Sequence, residues 1–285
     1  MITHSSHCPG IAEQRKRHHP VHAPAVISIA VVIVQRPVGH PGVRDKRGVA
    51  SDYPGIIRTT AKFVSVPNST VQDAFPLILE TQTAAFRYEL GDGHTYDFAE
   101  GMFNEPLDEE LKSIFPTEAG GFSYFDLNPA ATPSLQAVDD LEGFIEAEGP
   151  FDGVIAFSQG IIVASTLILR CIQEQKPRPF KCAIFFSPRL GAMDYEEFQQ
   201  SGKVREIDFE QHQGIITVPT ALIWGRHDPD RAKAAELQKL VPQERLFCYV
   251  HSGGHAVPGA GAHYDLMKSV NVARRAIELA AEGDH

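Results

Sequence analysis

The feature that most constrains the fold is a regular alternation of short apolar strands and helical segments from residue 134 onward. Strand patterns occupy residues 151–157, 179–186, 219–225 and 245–251, and helical patterns occupy residues 134–148, 161–173, 231–240 and 262–281. Buried strands that alternate with helices favour a parallel sheet, because each crossover helix returns the chain to the same end of the sheet. The sequence therefore predicts an α/β fold, with a mostly parallel sheet and helices on both faces.

The chain before residue 134 is less regular. We predict a helix over residues 74–90, ended by Gly91 and Gly93, and a short strand over residues 95–99. The following segment, residues 100–133, is rich in Gly, Pro and aromatic residues and is predicted to be irregular. Much earlier, Ala25 to Val34 is rich in Val and Ile and predicts one buried strand.

The distribution of charge divides the chain near residue 70. Residues 1–70 carry nine Lys or Arg and three Asp or Glu, a balance of +6, whereas residues 71–285 carry seventeen and thirty-three, a balance of −16. We therefore predict two parts. Residues 1–70 form an atypical basic segment, rich in His and Pro, that is poorly ordered or comes from a mispredicted gene start. Residues 71–285 form the folded α/β domain.

Composition excludes several classes of function. A net charge of −10 argues against a nucleic-acid partner. The sequence contains no run of 18 apolar residues, so we predict no membrane-spanning helix. The basic residues 15–17 before the 25–34 strand look like a secretory signal, but the start is late and no cleavage site follows closely. The spacing of the four cysteines fits neither a zinc site nor a disulfide framework. We therefore predict a cytoplasmic protein with no metal site.

One serine has the surroundings of a catalytic nucleophile. Ser158 stands between an apolar strand and an apolar helix, with Ala156 two residues before it and Gly160 two residues after it. A nucleophile on a sharp strand-to-helix turn needs small neighbours at these two positions, because the flanking backbones approach closely. The backbone N–H of Gln159 then points toward developing negative charge and is a candidate oxyanion donor. A serine that only caps the helix is the alternative.

The expected partners of Ser158 follow later strands. Asp228 stands in the loop after the 219–225 strand. Asp230 is the neighbouring alternative for the same role, unless its side chain caps the helix that follows. His255 follows two glycines in the loop after the last strand and is favoured as the base over His251. The order Ser, Asp, His along the chain is that of α/β-hydrolases. The candidate triad is therefore Ser158, Asp228 and His255.

These segments resemble a fungal family of small serine hydrolases, the FSH family. The resemblance covers roughly residues 78–285 and is carried by GPFDGVIAFSQG, PTALIWGRHDPD and HSGGHAVP, together with QTAAFRYELGDGHTYDFAEG and FPTEAGGFSYFD. It implies an α/β-hydrolase fold, no cofactor, and hydrolysis of a carboxylic ester or thioester. For members linked to polyketide pathways it implies release of an acyl chain from a synthase carrier domain in secondary metabolism.

The start of the chain departs from this family. Its members open with a buried strand beside the nucleophile strand, and the His-Gly loop that follows supplies a second oxyanion N–H. The nearest match here is Ala25 to Val34 followed by residues 38–42, which lies about 40 residues too early. Three explanations stay open: the 25–34 strand fills the slot, residues 61–66 fill it, or residues 1–70 derive from a mispredicted gene start.

The resulting hypothesis is a serine hydrolase that cleaves an acyl ester or an acyl-carrier thioester through an acyl-serine intermediate. The loops over residues 100–130 and 188–214 are expected to form the acyl pocket, and a polyketide synthase is the macromolecular partner that the resemblance implies. Two alternatives remain. One is a non-catalytic binding protein with a hydrolase fold and an incomplete oxyanion hole. The other is a general short-chain carboxylesterase.

Overall fold

A computed structural model describes residues 30–35, 76–100, 103–106, 120–123 and 135–282 of the chain. The helices are α1 (Pro76–Leu90), α2 (Gln136–Glu148), α3 (Gln159–Gln173), α4 (Tyr195–Ser201), α5 (Arg231–Lys239) and α6 (His263–Glu282). The strands are β1 (Ala30–Gln35), β2 (Thr95–Glu100), β3 (Phe103–Pro106), β4 (Gly120–Ser123), β5 (Gly153–Phe157), β6 (Cys182–Phe186), β7 (Thr220–Gly225) and β8 (Leu246–His251). The predicted strands and helices from residue 134 onward are confirmed, with bounds shifted by a few residues.

Six of these strands form one sheet in the order β2-β1-β5-β6-β7-β8. The four strands β5 to β8 are parallel, whereas β1 runs antiparallel to both β2 and β5. Because parallel strands end at the same edge, the loops after β5, β6, β7 and β8 all start from one side of the sheet. The predicted mostly parallel sheet is confirmed.

Helices cover both faces of this sheet because its central strands are apolar on both faces. In β5, Val154 and Ala156 belong to the core that α2, α3 and α5 cover, and Ile155 and Phe157 belong to the core that α1 and α6 cover. All five residues of β5 and of β6 are buried. The sheet is therefore a rigid platform from which the polar loop residues project.

The structure supports one of the three explanations for the slot beside the strand that leads to Ser158. The slot is filled by β1, which pairs with β5 from Val31 opposite Ala156 to Val34 opposite Gly153. The 25–34 segment therefore supplies the strand, although its described bounds are Ala30–Gln35. Residues 61–66 lie outside the described residues, and the division of the chain at residue 70 stays a prediction.

Two predictions about the middle of the chain need correction. Residues 100–133 were expected to be irregular, yet β3 and β4 pair as an antiparallel ladder from Phe103–Ser123 to Pro106–Gly120. The helix after the nucleophile was placed from residue 161, but α3 begins at Gln159, directly after Ser158. The rest of the expected acyl-pocket loop, residues 107–119 and 124–130, lies outside the described residues. None of the helices in the described ranges is both long and apolar enough to span a membrane.

The contact between α1 and the sheet gives a test of the fold. Phe86 is fully buried and its ring meets that of Phe186 edge to face, with centroids 5.0 Å apart. We expect Phe86→Ala to lower the free energy of unfolding by about 3–5 kcal/mol, because it leaves a cavity between the helix and the sheet. Tyr88→Ala on the same helix is the matched control, since that side chain is 79% exposed, and its effect should stay within about 0.5 kcal/mol. Urea denaturation measures both, and equal losses would contradict the described packing.

Candidate active site

Ser158 occupies the turn that joins β5 to α3. Its backbone angles are φ 55° and ψ −116°, in a region that residues other than glycine seldom adopt. The turn is held at both ends, because the Ser158 N–H donates to Phe186 on the neighbouring strand and its carbonyl accepts from Ile161 in α3. Strain of this kind costs about 1–3 kcal/mol and is typical of positions where the backbone must present one side chain.

The side chains of Ser158, His255 and Asp228 form one hydrogen-bonded chain. The Ser158 Oγ lies 2.9 Å from His255 Nε2, and His255 Nδ1 lies 3.0 and 3.1 Å from the two carboxylate oxygens of Asp228. An ionised carboxylate can only accept, so Nδ1 carries the proton and Nε2 is left to accept from the serine hydroxyl. The structure therefore brings together the three side chains that the sequence indicated, in the arrangement that a general base requires.

Asp228 stays ionised despite its depth in the protein. Burial alone would raise its pKa, but the hydrogen bond and charge of His255, the Asp230 N–H and the nearby Ser187 hydroxyl outweigh burial and lower it. The Asp230 N–H donates to Asp228 Oδ1 at 2.8 Å. The ring of Phe157 lies 5.1 Å from that of His255 and limits its tilt from the side of the sheet. A fixed negative charge therefore faces the Nδ1 side of a ring whose orientation is restricted.

The loop that carries His255 passes directly over the end of β7. The carbonyl oxygens of Gly253 and Gly254 lie only 2.4 and 2.1 Å from where a Cβ at Gly225 would stand. The loop is tied down there, because the His227 N–H donates to the Gly253 carbonyl at 3.0 Å. Only a glycine at position 225 lets the loop lie this close to the strand.

The side chains of Asp230 and His251, the alternatives to Asp228 and His255, lie outside the hydrogen-bonded chain that ends at Ser158. Asp230 occupies the N-cap position of α5, as predicted, but its side chain makes no capping hydrogen bond. His251 is buried at the end of β8, where its Nδ1 accepts from the Gly253 N–H at 3.1 Å. Burial lowers the pKa of His251, which favours the neutral ring that this bond needs. His251 therefore braces the loop and does not reach Ser158 through any described hydrogen bond.

Within the described ranges, one group of side chains has the spacing of a metal site: Asp228, Asp230 and His255, whose ligand atoms lie within 4.8 Å of one another. The hydrogen bond between His255 Nδ1 and Asp228 already explains the closeness of two of them. Because this bond uses the ring nitrogen that faces the carboxylates, we assign no metal to the group.

The direction of β1 bears on the oxyanion site. The sequence hypothesis gives this site two donors: the Gln159 N–H, which the structure places at the start of α3, and a second N–H from a loop after the strand beside β5. Since β1 is antiparallel to β5, its last residues lie beside Gly153, at the opposite end from Ser158. The expectation that this strand runs into a loop at the oxyanion site is therefore wrong for β1. Residues 38–42 lie outside the described residues.

Two residues near the site escaped the sequence analysis. Ser187 follows β6 with a φ of 50° and is completely buried, and its hydroxyl lowers the pKa of Asp228. Its resemblance to Ser158, a serine directly after a buried strand, was the available signal. Asp265 lies in the first turn of α6 and contacts the loop of His255 through Ser252. A carboxylate in a first helical turn is too common to single out from sequence.

Comparison with known proteins gives a family match that spans the site. The family model described as serine hydrolase (FSH1) matches residues 76–265. The chain is 34% identical to Esterase FPY3 of Fusarium mangiferae over 184 residues, which cover 64% of this chain and 82% of that protein. It is 27% identical to Esterase C25G4.2 of Caenorhabditis elegans over 176 residues, which cover 59% and 74%.

A solved structure, the mouse alpha/beta hydrolase domain-containing protein 10, aligns with 87% of this chain and 94% of its own at 10% identity and a TM-score of 0.41, which does not bear on the site. The matched family range contains Ser158, Asp228 and His255 and begins after β1. The sheet topology and the family match together confirm the predicted α/β-hydrolase fold.

The close passage of the loop over β7 predicts the effect of one methyl group. We expect Gly225→Ala to push Gly253 and Gly254 away from the strand and to cost about 1–3 kcal/mol of stability, because backbone atoms cannot yield as a flexible side chain would. Gly259→Ala is the matched control, since nothing lies within 4 Å of its added Cβ. Thermal unfolding compares the two variants. An equal, small change in both would contradict the described approach of the loop.

Proposed function

Because the chain belongs to the FSH1 family of serine hydrolases, we propose that it cleaves an acyl ester or thioester through an acyl-serine intermediate. Ser158 is the nucleophile, His255 the general base, and Asp228 the residue that orients the base. The observation that carries this proposal is the continuous hydrogen bonding from Ser158 Oγ through the ring of His255 to Asp228. The strained turn at Ser158 supports it, because strain at a buried polar residue favours a functional role.

Acylation follows from the geometry. The Ser158 oxygen attacks the carbonyl carbon while its proton passes to His255 Nε2, 2.9 Å away. Asp228 keeps the ring in the tautomer that accepts at Nε2 and stabilises the imidazolium that forms. The tetrahedral intermediate then collapses: the bond to the leaving oxygen or sulfur breaks, and His255 returns the proton to that atom. The acid portion remains esterified to Ser158.

Deacylation repeats these steps with water in place of the serine hydroxyl. His255 Nε2 accepts a proton from water, the resulting oxygen attacks the acyl carbon, and the bond to Ser158 breaks. The serine oxygen recovers its proton from His255 and the free carboxylic acid departs. No redox step occurs, and the proposed mechanism uses no cofactor or metal.

The negative charge on the tetrahedral oxygen needs donors. We assign the backbone N–H of Gln159 to this role because Gln159 is the first residue of α3, and the N-terminus of a 15-residue helix favours negative charge. The second donor is not assigned, since the last residues of β1 lie at the opposite end of β5 from Ser158.

The substrate class is drawn from the relatives and the fold. Two similar proteins, of Fusarium mangiferae and Caenorhabditis elegans, are named esterases, which favours a small-molecule acyl ester. The resemblance to fungal members linked to polyketide pathways favours an acyl-carrier thioester and release of a polyketide from its synthase. We place the protein in the cytoplasm, with no nucleic-acid or membrane partner.

One observation favours a second candidate, a binding protein that has the hydrolase fold without catalysis. The antiparallel β1 leaves the family's usual source of the second oxyanion donor at the wrong end of the sheet. Loss of one oxyanion donor lowers the rate by about 10²–10³. Such a protein would bind an acyl compound and turn it over slowly or not at all.

Labelling by a fluorophosphonate probe separates the two candidates. The probe loses fluoride when an activated serine oxygen attacks its phosphorus, so we expect covalent labelling of the wild type and none of Ser158→Ala. Ser201→Ala, an exposed serine on α4, is the matched control and should be labelled like the wild type. Folded wild-type protein that takes up no label, as judged by mass spectrometry and circular dichroism, favours the binding protein.

The leaving group is tested with substrates that share one acyl chain. We expect kcat/KM for an N-acetylcysteamine thioester to exceed that for the matching ethyl ester at least about tenfold, a difference of about 1.4 kcal/mol in the activation free energy. Steady-state hydrolysis measures both, with Ser158→Ala as the blank. A higher value for the ethyl ester over a range of short chains contradicts the release of an acyl-carrier thioester and indicates a general carboxylesterase.

A further inference from the structure

The loop that carries His255 is short. It leaves β8 at His251 and must bring His255 back toward Ser158, which follows β5, three strands away in the sheet. Neighbouring strands are about 4.8 Å apart, so this distance is about 14 Å along the sheet edge. The four residues from 251 to 255 span at most about 14 Å when extended, and since the loop bends over β7, the side chains of His255 and Ser158 cover the rest of the distance. Because only three residues separate His251 from His255, a displacement at the start of the loop is transmitted to His255.

The loop supplies little stiffness of its own. Gly253 and Gly254 lie directly before His255, and glycine is the residue with the fewest restrictions on its backbone. The described ties near these residues are two backbone bonds, from His227 to the Gly253 carbonyl and from Ala256 to the Gly254 carbonyl, and one bond from the Gly253 N–H to His251 Nδ1. The side-chain contacts at the start of the loop therefore decide where it begins.

Asp265 makes the strongest of these contacts. It lies in the first turn of α6, is 8% exposed, and accepts from both the N–H and the hydroxyl of Ser252 through Oδ2, the former at 3.0 Å. Its other oxygen, Oδ1, accepts from the hydroxyl of Tyr249 on β8. Hydrogen bonds to an ionised carboxylate are roughly twice as strong as neutral ones. One side chain thus joins the end of β8, the start of the loop and the start of α6.

We infer that Asp265 is a positioning residue for the proposed reaction: by binding Ser252 and Tyr249 it holds the loop at the point from which His255 reaches Ser158. This inference rests on the proposed function, because positioning has meaning only if His255 acts as the base. Asp265 touches neither Ser158 nor His255 in any described hydrogen bond, so its effect on the reaction passes through the loop.

The surroundings of Asp265 suit a permanent anchor. It lies in a cleft of about 550 Å³ whose lining includes Arg226, Tyr249, Ser252 and Tyr264. The hydroxyl of Ser252, the hydroxyl of Tyr249 and the Ser252 N–H together lower the pKa of Asp265 to about 2. The carboxylate is therefore ionised, and its hydrogen bonds are intact, throughout the range of pH in which hydrolases are assayed.

The test compares two aspartates that lie in the first turns of two helices. Asp265→Asn replaces one of the two acceptor oxygens by an amino group, so the side chain can no longer accept from both Ser252 and Tyr249. Asp139→Asn on α2 is the matched control, because that carboxylate pairs with Arg170, away from the loop. Phosphonylation by the fluorophosphonate probe is followed over time to give the maximal rate and the half-saturating concentration separately.

We expect the maximal phosphonylation rate of Asp265→Asn to fall about 10- to 100-fold while the half-saturating concentration stays within about twofold, because a displacement of about 1 Å at a reacting group can cost about 10² in rate. Asp139→Asn should react like the wild type. A merely structural role would instead lower the melting temperature and leave the rate of the folded fraction unchanged. A wild-type rate in folded Asp265→Asn overturns the inference.

Ser252 gives a second, independent comparison. Ser252→Ala removes one of the two bonds to Oδ2 and should lower the rate less than Asp265→Asn, whereas Ser252→Thr retains the hydroxyl and should restore most of it. Because the two residues share one interaction, the losses in the Asp265→Asn, Ser252→Ala double variant should be less than multiplicative. Fully multiplicative losses contradict the anchor.

A spectroscopic measurement keeps this inference apart from the proposed function. The proton on His255 Nδ1 is hydrogen-bonded to Asp228, and we expect it to give a downfield proton NMR resonance in the wild type and in Asp139→Asn. In Asp265→Asn this resonance should be broadened or missing. If the wild type takes up no label, the proposed function fails, and this resonance still tests the anchor. An unchanged resonance in Asp265→Asn overturns it.

Discussion

Four parallel strands bring every polar group of the site to one edge of the sheet. The strands β5, β6, β7 and β8 end side by side, and the residues that follow them are, in order, Ser158, Ser187, Asp228 and the loop of His255. None of these residues is near another in sequence, and hydrogen bonding between parallel strands is what makes them neighbours. The apolar residues of β5 and β6 therefore determine the chemistry indirectly, because they set the spacing and direction of the strands that carry it.

The strain at Ser158 is supported by the same sheet. A φ of 55° at a serine is unfavourable by about 1–3 kcal/mol. It persists because β5 is buried along its whole length and α3 is buried over most of its own, so that neither can move to relieve the turn. The bond from the Ser158 N–H to Phe186 joins the turn to β6 as well. Packing over two secondary-structure elements thus offsets a local cost at one residue.

The sequence predicted the site from residue 151 onward because the necessary signals are local there. Each candidate lies within a few residues of a strand end, so the strand pattern alone places Ser158, Asp228 and His255 at the same edge. The direction of β1 could not be predicted in this way. It depends on the connection between β1 and α1, and the residues of β1 alone do not indicate it. The β3–β4 ladder was missed because Gly120 and Gly121 are typical of loops.

The anchor at Asp265 escaped prediction for a related reason. Its partners Tyr249 and Ser252 are 16 and 13 residues away in sequence, and they meet only after β8 and α6 have packed together. A sequence pattern indicates which residues belong to one helix or strand, but not which of their side chains contact the end of another helix or strand. Contacts that support a site are therefore harder to predict than the residues that form it.

The described structure separates two requirements that a serine hydrolase normally satisfies together. In the proposed mechanism, activation of Ser158 needs only β5, β7 and β8 with their loops, all of which lie inside the range that matches the family. Stabilisation of the oxyanion also needs a donor from the strand on the other side of β5, and β1 lies outside that range and runs in the opposite direction. Antiparallel pairing still satisfies the backbone hydrogen bonds of β5, so the sheet is stable whichever way this strand runs. The proposed activation of Ser158 is therefore independent of β1, and the direction of β1 bears on the proposed reaction more than on the fold.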